Sequence, residues 1–355
     1  MRVLHFGTFE RGYPRNAQVA SALRAAGVEV VERHVPVWEG SRDWTARRGT
    51  AARIGLAELR LARRVPADVD AVLVGYPGHP DVPAARRAAR GRPVVFDALV
   101  SLHETLVEDR RRFRPGSLAA RALLALDRAA LRGADLVVAD TQANAKFLAA
   151  LAGLPSERVE VCLVGAEDRL FRPGWRPVEP WTCLFVGKLI PLHGVETILA
   201  AARLAPEIPF RIVGSGQLKP LLADRPTNVD WMPWVAYEEL PGELHRAGCA
   251  LGVFGRSPKA ARVIPNKAYQ AIGCGTPLVT AATPGARELL VDGESALLVP
   301  PGDPDALAHA VWRLRNDAAL SERIAAGGRA VYEKRASEAV LGERWRTLLE
   351  RLCGG

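Results

Sequence analysis

A short apolar strand that runs into a glycine-bearing loop and then a helix opens each of two long blocks of this chain. That repetition limits the fold more than any other feature. Val3-Leu4-His5-Phe6-Gly7 begins the first block, and 182–186 followed by Gly187 begins the second. Apolar runs of four to six residues between turn residues, alternating with longer amphipathic stretches, specify parallel strands covered by helices. In the first block strands are expected at 3–7, 28–34, 69–74, 93–96, 134–139 and 159–163, with helices including 18–26, 118–131 and 142–151. In the second block strands are expected at 182–186, 210–213, 229–235, 249–254, 278–280 and 296–299, with helices including 196–204, 238–247, 303–316, 318–332 and 337–352. Between them, 168–181 carries Pro173, Pro177 and Pro180 and little periodicity, as an interdomain linker would. The expected division is a Rossmann-like domain over 1–170, a linker at 171–181, a second Rossmann-like domain over 182–335 and a closing helix over 336–355.

In open α/β sheets ligands bind beyond the carboxyl ends of the strands. Candidate residues are therefore those on the strand-end loops. Gly7 leads into a loop holding Arg15 and Asn16, and 75–81 places His79 and Asp81 between two glycines and two prolines. Asp97 ends the fourth strand, ahead of His103, Glu104, Asp109 and Arg110. Asp97 and His103 are the acid/base candidates of this half; Arg15, Asn16, His79 and Arg110 are candidates for acceptor contact. Asp140-Thr141 reads as a helix cap. In the second half 262–279 reads as loop, short helix, glycine break and strand. Asn266 is expected to cap a helix over 267–272 that Gly273 and Gly275 end. A helix start near a sheet edge offers N–H groups to an anion, Lys267 adds charge, and Gln270 lies one turn on. This stretch is either a phosphate and sugar-nucleotide cradle or an ordinary αβ unit.

Net charge is +9, largely arginine, which favours anionic partners. No aromatic-interleaved basic motif or helix-turn-helix pattern accompanies it, so nucleic acid is not an expected partner. The basic segments 45–65, with Leu56, Leu59 and Arg63, and 110–114 are either solvated faces or surfaces for a lipid-borne acceptor. No apolar run reaches the length of a membrane span, and no signal-peptide layout opens the chain, so a cytoplasmic location is expected, with the inner membrane face as the place for any peripheral contact. Five dispersed cysteines without a Cys-x-x-Cys pair suggest reduced, mostly buried thiols, and no metal site is expected. Gly214-Ser215-Gly216-Gln217-Leu218-Lys219 follows a strand, but Lys219 stands where a dinucleotide fingerprint needs a small residue. No P-loop, serine triad or zinc spacing is present.

Read in order, the second half resembles the donor domain of a retaining family-4 glycosyltransferase (glycosyl transferases group 1) with the GT-B fold. The resemblance covers 182–302 and rests on Gly187-Lys188-Leu189 through His193-Gly194, Val213-Gly214-Ser215-Gly216, Trp234-Val235, Gly275-Thr276-Pro277-Leu278-Val279 and Gly285-Ala286-Arg287-Glu288-Leu289-Leu290. It implies two Rossmann-like domains facing a cleft, with the last helix crossing back to the first. It implies that Lys188 and His193 meet the donor diphosphate as catalytic groups. Donor contacts are implied for Gly7, Gly187, Gly214, Trp234, Val235, Arg262, Ile264, Asn266, Lys267, Gln270 and Glu288. The family's two glutamates, eight residues apart, fall here on Arg262 and Gln270. The second usually holds ribose hydroxyls, a task an amide can share; the first usually meets the transferred sugar. Pro265-Asn266-Lys267 looks like a family variant with a Pro-Ser-Lys run.

The implied reaction moves a sugar from a nucleotide-diphosphate sugar, UDP- or GDP-linked, to an acceptor with retention and without a bound metal or other cofactor. The acceptor stays open among glycolipid, polysaccharide intermediate and small natural product. A nucleotide-sugar-binding subunit that has lost catalysis, and a GT-B-like epimerase or phosphorylase, are the alternatives.

Overall fold

The computed structural model describes residues 1–38, 49–62 and 68–354. The chain divides into two compact units, 1–164 with 338–355, and 165–337. Each is a doubly wound parallel sheet.

Unit 1 runs β1 (Arg2–Gly7), α1 (Pro14–Ala25), β2 (Glu29–His34), α2 (Thr50–Leu61), β3 (Ala71–Val74), α3 (Asp81–Ala89), β4 (Val94–Asp97), α4 (Leu118–Gly133), β5 (Leu136–Ala139), α5 (Gln142–Ala152) and β6 (Val159–Val161). Among the described residues its sheet has six parallel strands in the order β2-β1-β3-β4-β5-β6. Strands β3, β4 and β5 are buried at every position, which is why they read as unbroken apolar runs rather than alternating ones. Leu4, Phe6, Val72, Val94, Phe96 and Val137 form one core with Ala85, Leu131 and Leu148 from the helices. The basic segment 45–65 contains α2; residues 45–48 and 63–65 lie outside the described residues.

Unit 2 runs β7 (Cys183–Val186), α6 (Val195–Leu204), β8 (Phe210–Val213), β9 (Val229–Met232), α7 (Leu240–Arg246), β10 (Cys249–Leu251), α8 (Pro258–Arg262), α9 (Asn266–Cys274), β11 (Leu278–Ala281), α10 (Pro284–Arg287), β12 (Leu297–Val299), α11 (Pro304–Asn316) and α12 (Ala318–Arg335). Its six parallel strands, among the described residues, lie in the order β12-β11-β10-β7-β8-β9. Phe185, Phe210, Ile212, Leu251 and Val279 pack with Ile198, Leu307 and Val311. Each fully buried Phe or Leu contributes roughly 1.5–3 kcal/mol relative to exposure.

The last helix, α13 (Glu338–Cys353), belongs to unit 1 and packs on α1. Trp345 is buried, and Gly342 lies so close to α1 that a Cβ there would stand 2.2 Å from the Ala22 carbonyl oxygen. Arg344 and Arg351 both pair with Glu160, at 2.7 and 2.6 Å.

Several local expectations are corrected. The proline-rich segment is a strap on unit 2, not a free linker. Phe171 is buried, Arg176 N donates to the His245 carbonyl, and Trp175 Nε1 donates to Ala247 O at 2.8 Å. Pro265, not Asn266, occupies the N-cap of α9, and the helix continues through Gly273 to end at Gly275 in the left-handed region (φ +73°). Gly273 stays helical because its missing Cβ makes room for the Phe171 carbonyl and the Tyr332 ring, 3.3 and 3.4 Å from where that atom would be. The expected cap at Asp140-Thr141 is present: Thr141 caps α5 by accepting from Asn144 N. The thiols are free and mostly buried, as expected, with Cys353 exposed.

Candidate functional site

Strand order reverses between β7 and β10, the point where a doubly wound sheet leaves a crevice at its carboxyl edge. The loops that border this crevice touch backbone to backbone. A Cβ on Gly214 would lie 1.9 Å from the Gly187 carbonyl oxygen, and one on Gly255 would lie 2.4 Å from Leu192 O. Gly187 itself has φ +153°, a conformation L side chains rarely adopt.

Above Gly187 stands Lys267. Its Nζ is buried, has no hydrogen-bond partner and lies 4.1 Å from the Phe185 ring centroid. It is 2.7 Å from the point where a Gly187 Cβ would be, and His193 Cε1 is 3.3 Å from the same point. Desolvation by burial holds the Lys267 amino group well below its usual range. An ammonium here has lost its water and gained only a ring face, so an anion brought to the rim would find a strong donor. His193 Nδ1 contacts the Lys188 carbonyl. A carbonyl only accepts, so the proton sits on Nδ1 and the neutral ring keeps Nε2 as an acceptor. His193 therefore donates from Nε2 only as imidazolium. Lys188 is half-buried one residue beyond Gly187.

One turn along α9, Gln270 is buried. With Lys267 it borders a small void of about 10 Å³ closed by Leu184, Val186, Leu240, Leu244, Ala250 and Leu251. Glu167 pairs with Arg169 at 2.9 Å, and burial, then the Glu167 charge, raises the pKa of the Tyr237 hydroxyl.

Unit 1 has its own switch point, between β1 and β3. There the candidates are committed to one another. Gly7 (φ +130°) is covered by the Asp81 carboxylate, whose Oδ2 would be 2.3 Å from a Gly7 Cβ and accepts from Thr8 N at 2.7 Å. Glu58 on α2 faces Asp81; burial raises both acids, Glu58 to about 9, so the pair holds a proton between them. Asn16 donates to the Glu10 and Tyr76 carbonyls and accepts from Tyr76 N. Arg15 is fully buried and forks onto Asp97 with two 2.8 Å bonds, while its remaining donors reach Leu163 O and Cys162 O. These contacts correct the expectation that Arg15, Asn16 and Asp97 are open to ligand. His79 is buried against Phe96 with Nε2 on Val100 O, and desolvation lowers its pKa. His103 and Arg110 remain partly open, His103 Nδ1 lying 3.6 Å from Glu108 and Arg110 Nε 3.4 Å from Asp109.

Residues 180–317 match the family model described as glycosyl transferases group 1. Unit 2 is a glycosyl transferases group 1 domain. D-inositol 3-phosphate glycosyltransferase 1 of Catenulispora acidiphila is 29% identical over 91% of this chain and 79% of its own. D-inositol 3-phosphate glycosyltransferase of Thermomonospora curvata is 31% identical over 55% of this chain, which spans about half, 52%, of that relative. Among solved structures, sucrose-phosphate synthase from Thermosynechococcus elongatus superposes with a TM-score of 0.77 over 99% of both chains at 17% identity. Anabaena HepE, solved in complex with UDP-glucose, gives 0.70 over 99% of this chain and 100% of its own at 16% identity. The fold is GT-B.

Within the group 1 domain, Gly187, Gly214, His193 and Lys267 converge at the rim, with Lys188 beside them. The other donor-side candidates are spread around it. Asn266 opens α9, half-buried, and Ile264 is buried just before it. Arg262 ends α8, with its carbonyl packed where a Gly285 Cβ would be 2.5 Å away. Glu288 caps α10, and its carbonyl accepts from Arg335. Trp234 is exposed and Val235 half-buried. In unit 1, Asp127 was missed. It accepts from Ser101 Oγ, Leu102 N and His103 N and so fixes the loop after β4. Its signal was an acid on the apolar face of α4, in register with Ala120, Ala130 and Leu131. Among the described residues, no group of three or more His, Cys, Asp or Glu is arranged to hold a metal, and no helix is long and apolar enough to cross a membrane.

Proposed function

We propose that this protein transfers a sugar from a nucleotide-diphosphate sugar to an acceptor with retention of anomeric configuration. The observation that carries the reading is the buried Lys267 amino group without a hydrogen-bond partner, held at a glycine rim on the switch point of a group 1 domain. As the glycosidic bond breaks, negative charge grows on the leaving diphosphate. Lys267 is already desolvated and fixed, so it stabilises that charge without reorganising. Lys188 and protonated His193 add donors, and Gln270 meets the ribose. UDP is the favoured nucleotide, since HepE was solved with UDP-glucose. The relatives named for inositol 3-phosphate point to a phosphorylated polyol as one acceptor class. The protein would act without a bound metal, as a cytoplasmic enzyme, with the exposed Leu56 and Leu59 of α2 available to a membrane surface.

The test is calorimetric titration with UDP, GDP, ADP and dTDP, followed by turnover of the sugar conjugate of whichever binds. Micromolar binding of one nucleotide that Lys267→Ala weakens at least tenfold supports the site. Unchanged binding in that variant overturns it. A second reading, a binding subunit without catalysis, is favoured by Arg262 and Gln270 standing where the family carries glutamates. Tight binding with neither hydrolysis nor transfer would select it.

A further inference from the structure

Many arginines of this chain are spent on carboxylates. Arg2 pairs with Glu29, Arg11 with Glu32, Arg329 with Glu333, and Arg344 and Arg351 share Glu160. The loop between β4 and α4 departs from that habit. Arg111, Arg112 and Arg114 are exposed, and among the described residues no ion pair or hydrogen bond engages their side chains. Asp109 is buried and faces Arg110 at 3.4 Å, and Glu108 lies 3.6 Å from His103, so neither acid is spent on the three. The loop is also held in one shape. Arg110 N donates to Thr105 O at 2.9 Å and Arg112 N to Leu106 O at 2.8 Å, which pins it to the π-helical turn Glu104–Asp109. Between those bonds Arg111 sits in the left-handed region (φ +50°), a strained conformation that persists only where the surroundings impose it. Phe113 turns half inward while the arginines on either side of it face out. Ser117 then caps α4 by accepting from Ala120 N at 3.2 Å, and Leu118, the first helical residue, is 83% exposed. Like charges fixed this close repel one another, and an apolar side chain so exposed is unfavourable in water. Both features become gains at an anionic lipid surface, where arginines meet headgroups and a leucine enters the acyl boundary. β4 is paired in parallel on both sides, so the loop that leaves its carboxyl end lies at the ligand-side edge of the sheet. Leu118 favours a lipid surface over a free acidic polymer, since phosphate contacts need no exposed apolar group.

We propose that loop 111–118 docks unit 1 on an anionic lipid surface, with Arg111, Arg112 and Arg114 on the headgroups and Leu118 entering the layer below them. The contact depends neither on donor binding nor on the exposed Leu56 and Leu59 of α2. The experiment is co-sedimentation of the full chain with vesicles of phosphatidylcholine alone and of phosphatidylcholine with about 30% phosphatidylglycerol, at about 0.15 M salt. The native protein is expected to bind the anionic vesicles only. Salt at about 1 M should release it, because the Debye length then falls to about 3 Å. Replacing the three arginines together, Arg111→Gln with Arg112→Gln and Arg114→Gln, should weaken binding about a hundredfold, at roughly fivefold for each charge. Leu118→Ser should weaken it about tenfold. Leu56→Ser with Leu59→Ser should leave it unchanged, and every variant should keep the native circular dichroism spectrum. Equal binding to neutral vesicles, native-like binding by the triple arginine variant, or loss of binding in the α2 variant alone overturns the proposal. Native-like vesicle binding by Leu118→Ser, with equally tight binding of the native protein to polyphosphate, also overturns it and assigns the loop to a free acidic polymer.

Discussion

At the switch point of unit 1, between β1 and β3, Gly7 is roofed by Asp81, Asn16 ties the two strand-end loops together, and Arg15 is locked on Asp97. At the switch point of unit 2, between β7 and β10, Gly187 is roofed by Lys267, whose amino group has no hydrogen-bond partner. Both glycines end a buried first strand with positive φ, and both sheets reverse order beside them. Topology alone therefore does not make a ligand site. What differs is whether the polar groups at the crevice are satisfied by the chain. In unit 1 Asp81, Asn16 and Arg15 are, although His79 Nδ1 has no hydrogen-bond partner, and the crevice is a polar clasp that fixes strand ends. In unit 2 one is left unsatisfied, at a cost that a functional ligand contact explains.

The largest expected effect comes from opening the clasp. Arg15→Ala would leave Asp97 buried without its partner and strand two carbonyls, and should destabilise the protein by about 3–5 kcal/mol. Urea unfolding followed by circular dichroism measures it. Replacing both members, Arg15→Met with Asp97→Leu, should recover much of the loss, since the cost lies in the orphaned charge rather than in the absent pair. A single substitution with less than about 1 kcal/mol of effect would mean that the pair is open to solvent, and the contrast between the two units would collapse.

Next in size is the reverse experiment in unit 2. Lys267→Met keeps the stem in its place beside Gly187 and Phe185 but removes the stranded amine. Stability should rise by about 1–3 kcal/mol, the penalty of an unsatisfied buried polar group. UDP affinity should fall about tenfold to a hundredfold. The sign with pH follows from the lowered Lys267 pKa, which burial causes. Between the folded and unfolded values the unfolded chain binds more protons, so the native contribution grows as pH rises and is lost as pH falls through the folded value. Lys267→Met should flatten that slope. A loss of stability in the variant would show that the amine is already satisfied within the fold.

The βα order, both sheets, the group 1 motifs and the glycine rim were all legible from the chain, because short-range pattern sets strand, helix and turn. Which strand-end side chains are spent was not legible. Gly7 and Gly187 look alike in sequence, and what separates them is Asp81 in one case and Lys267 in the other, 74 and 80 residues away. Arg15 read as an acceptor contact because a loop arginine is usually solvated; it is buried because Asp97, 82 residues on, completes its fork. Asp127 was the one hidden residue with a local sign, and α4's apolar face carried it.

The smallest expected effect tests how complete the clasp is. Asp140, at the end of β5, is buried and accepts from Asn144 Nδ2 at 2.6 Å. Desolvation raises it to about 7, with the Asn144 bond and Arg15 pulling the other way. A carboxyl raised in the folded state binds a proton there that the unfolded chain has lost. Its contribution is therefore full below the unfolded value near 4 and disappears as pH rises through about 7. Stability should fall by on the order of 1 kcal/mol between pH 5 and 8 on this account, a modest figure because effective screening is strong even at buried sites. Asp140→Asn cannot ionise and keeps an acceptor for Asn144, so its stability should be flat over the same window. Paired urea titrations at pH 5, 6.5 and 8 decide it. An Asp140→Asn profile as steep as the native one would place the titrating group elsewhere and leave Arg15 neutralised by two ionised acids rather than one.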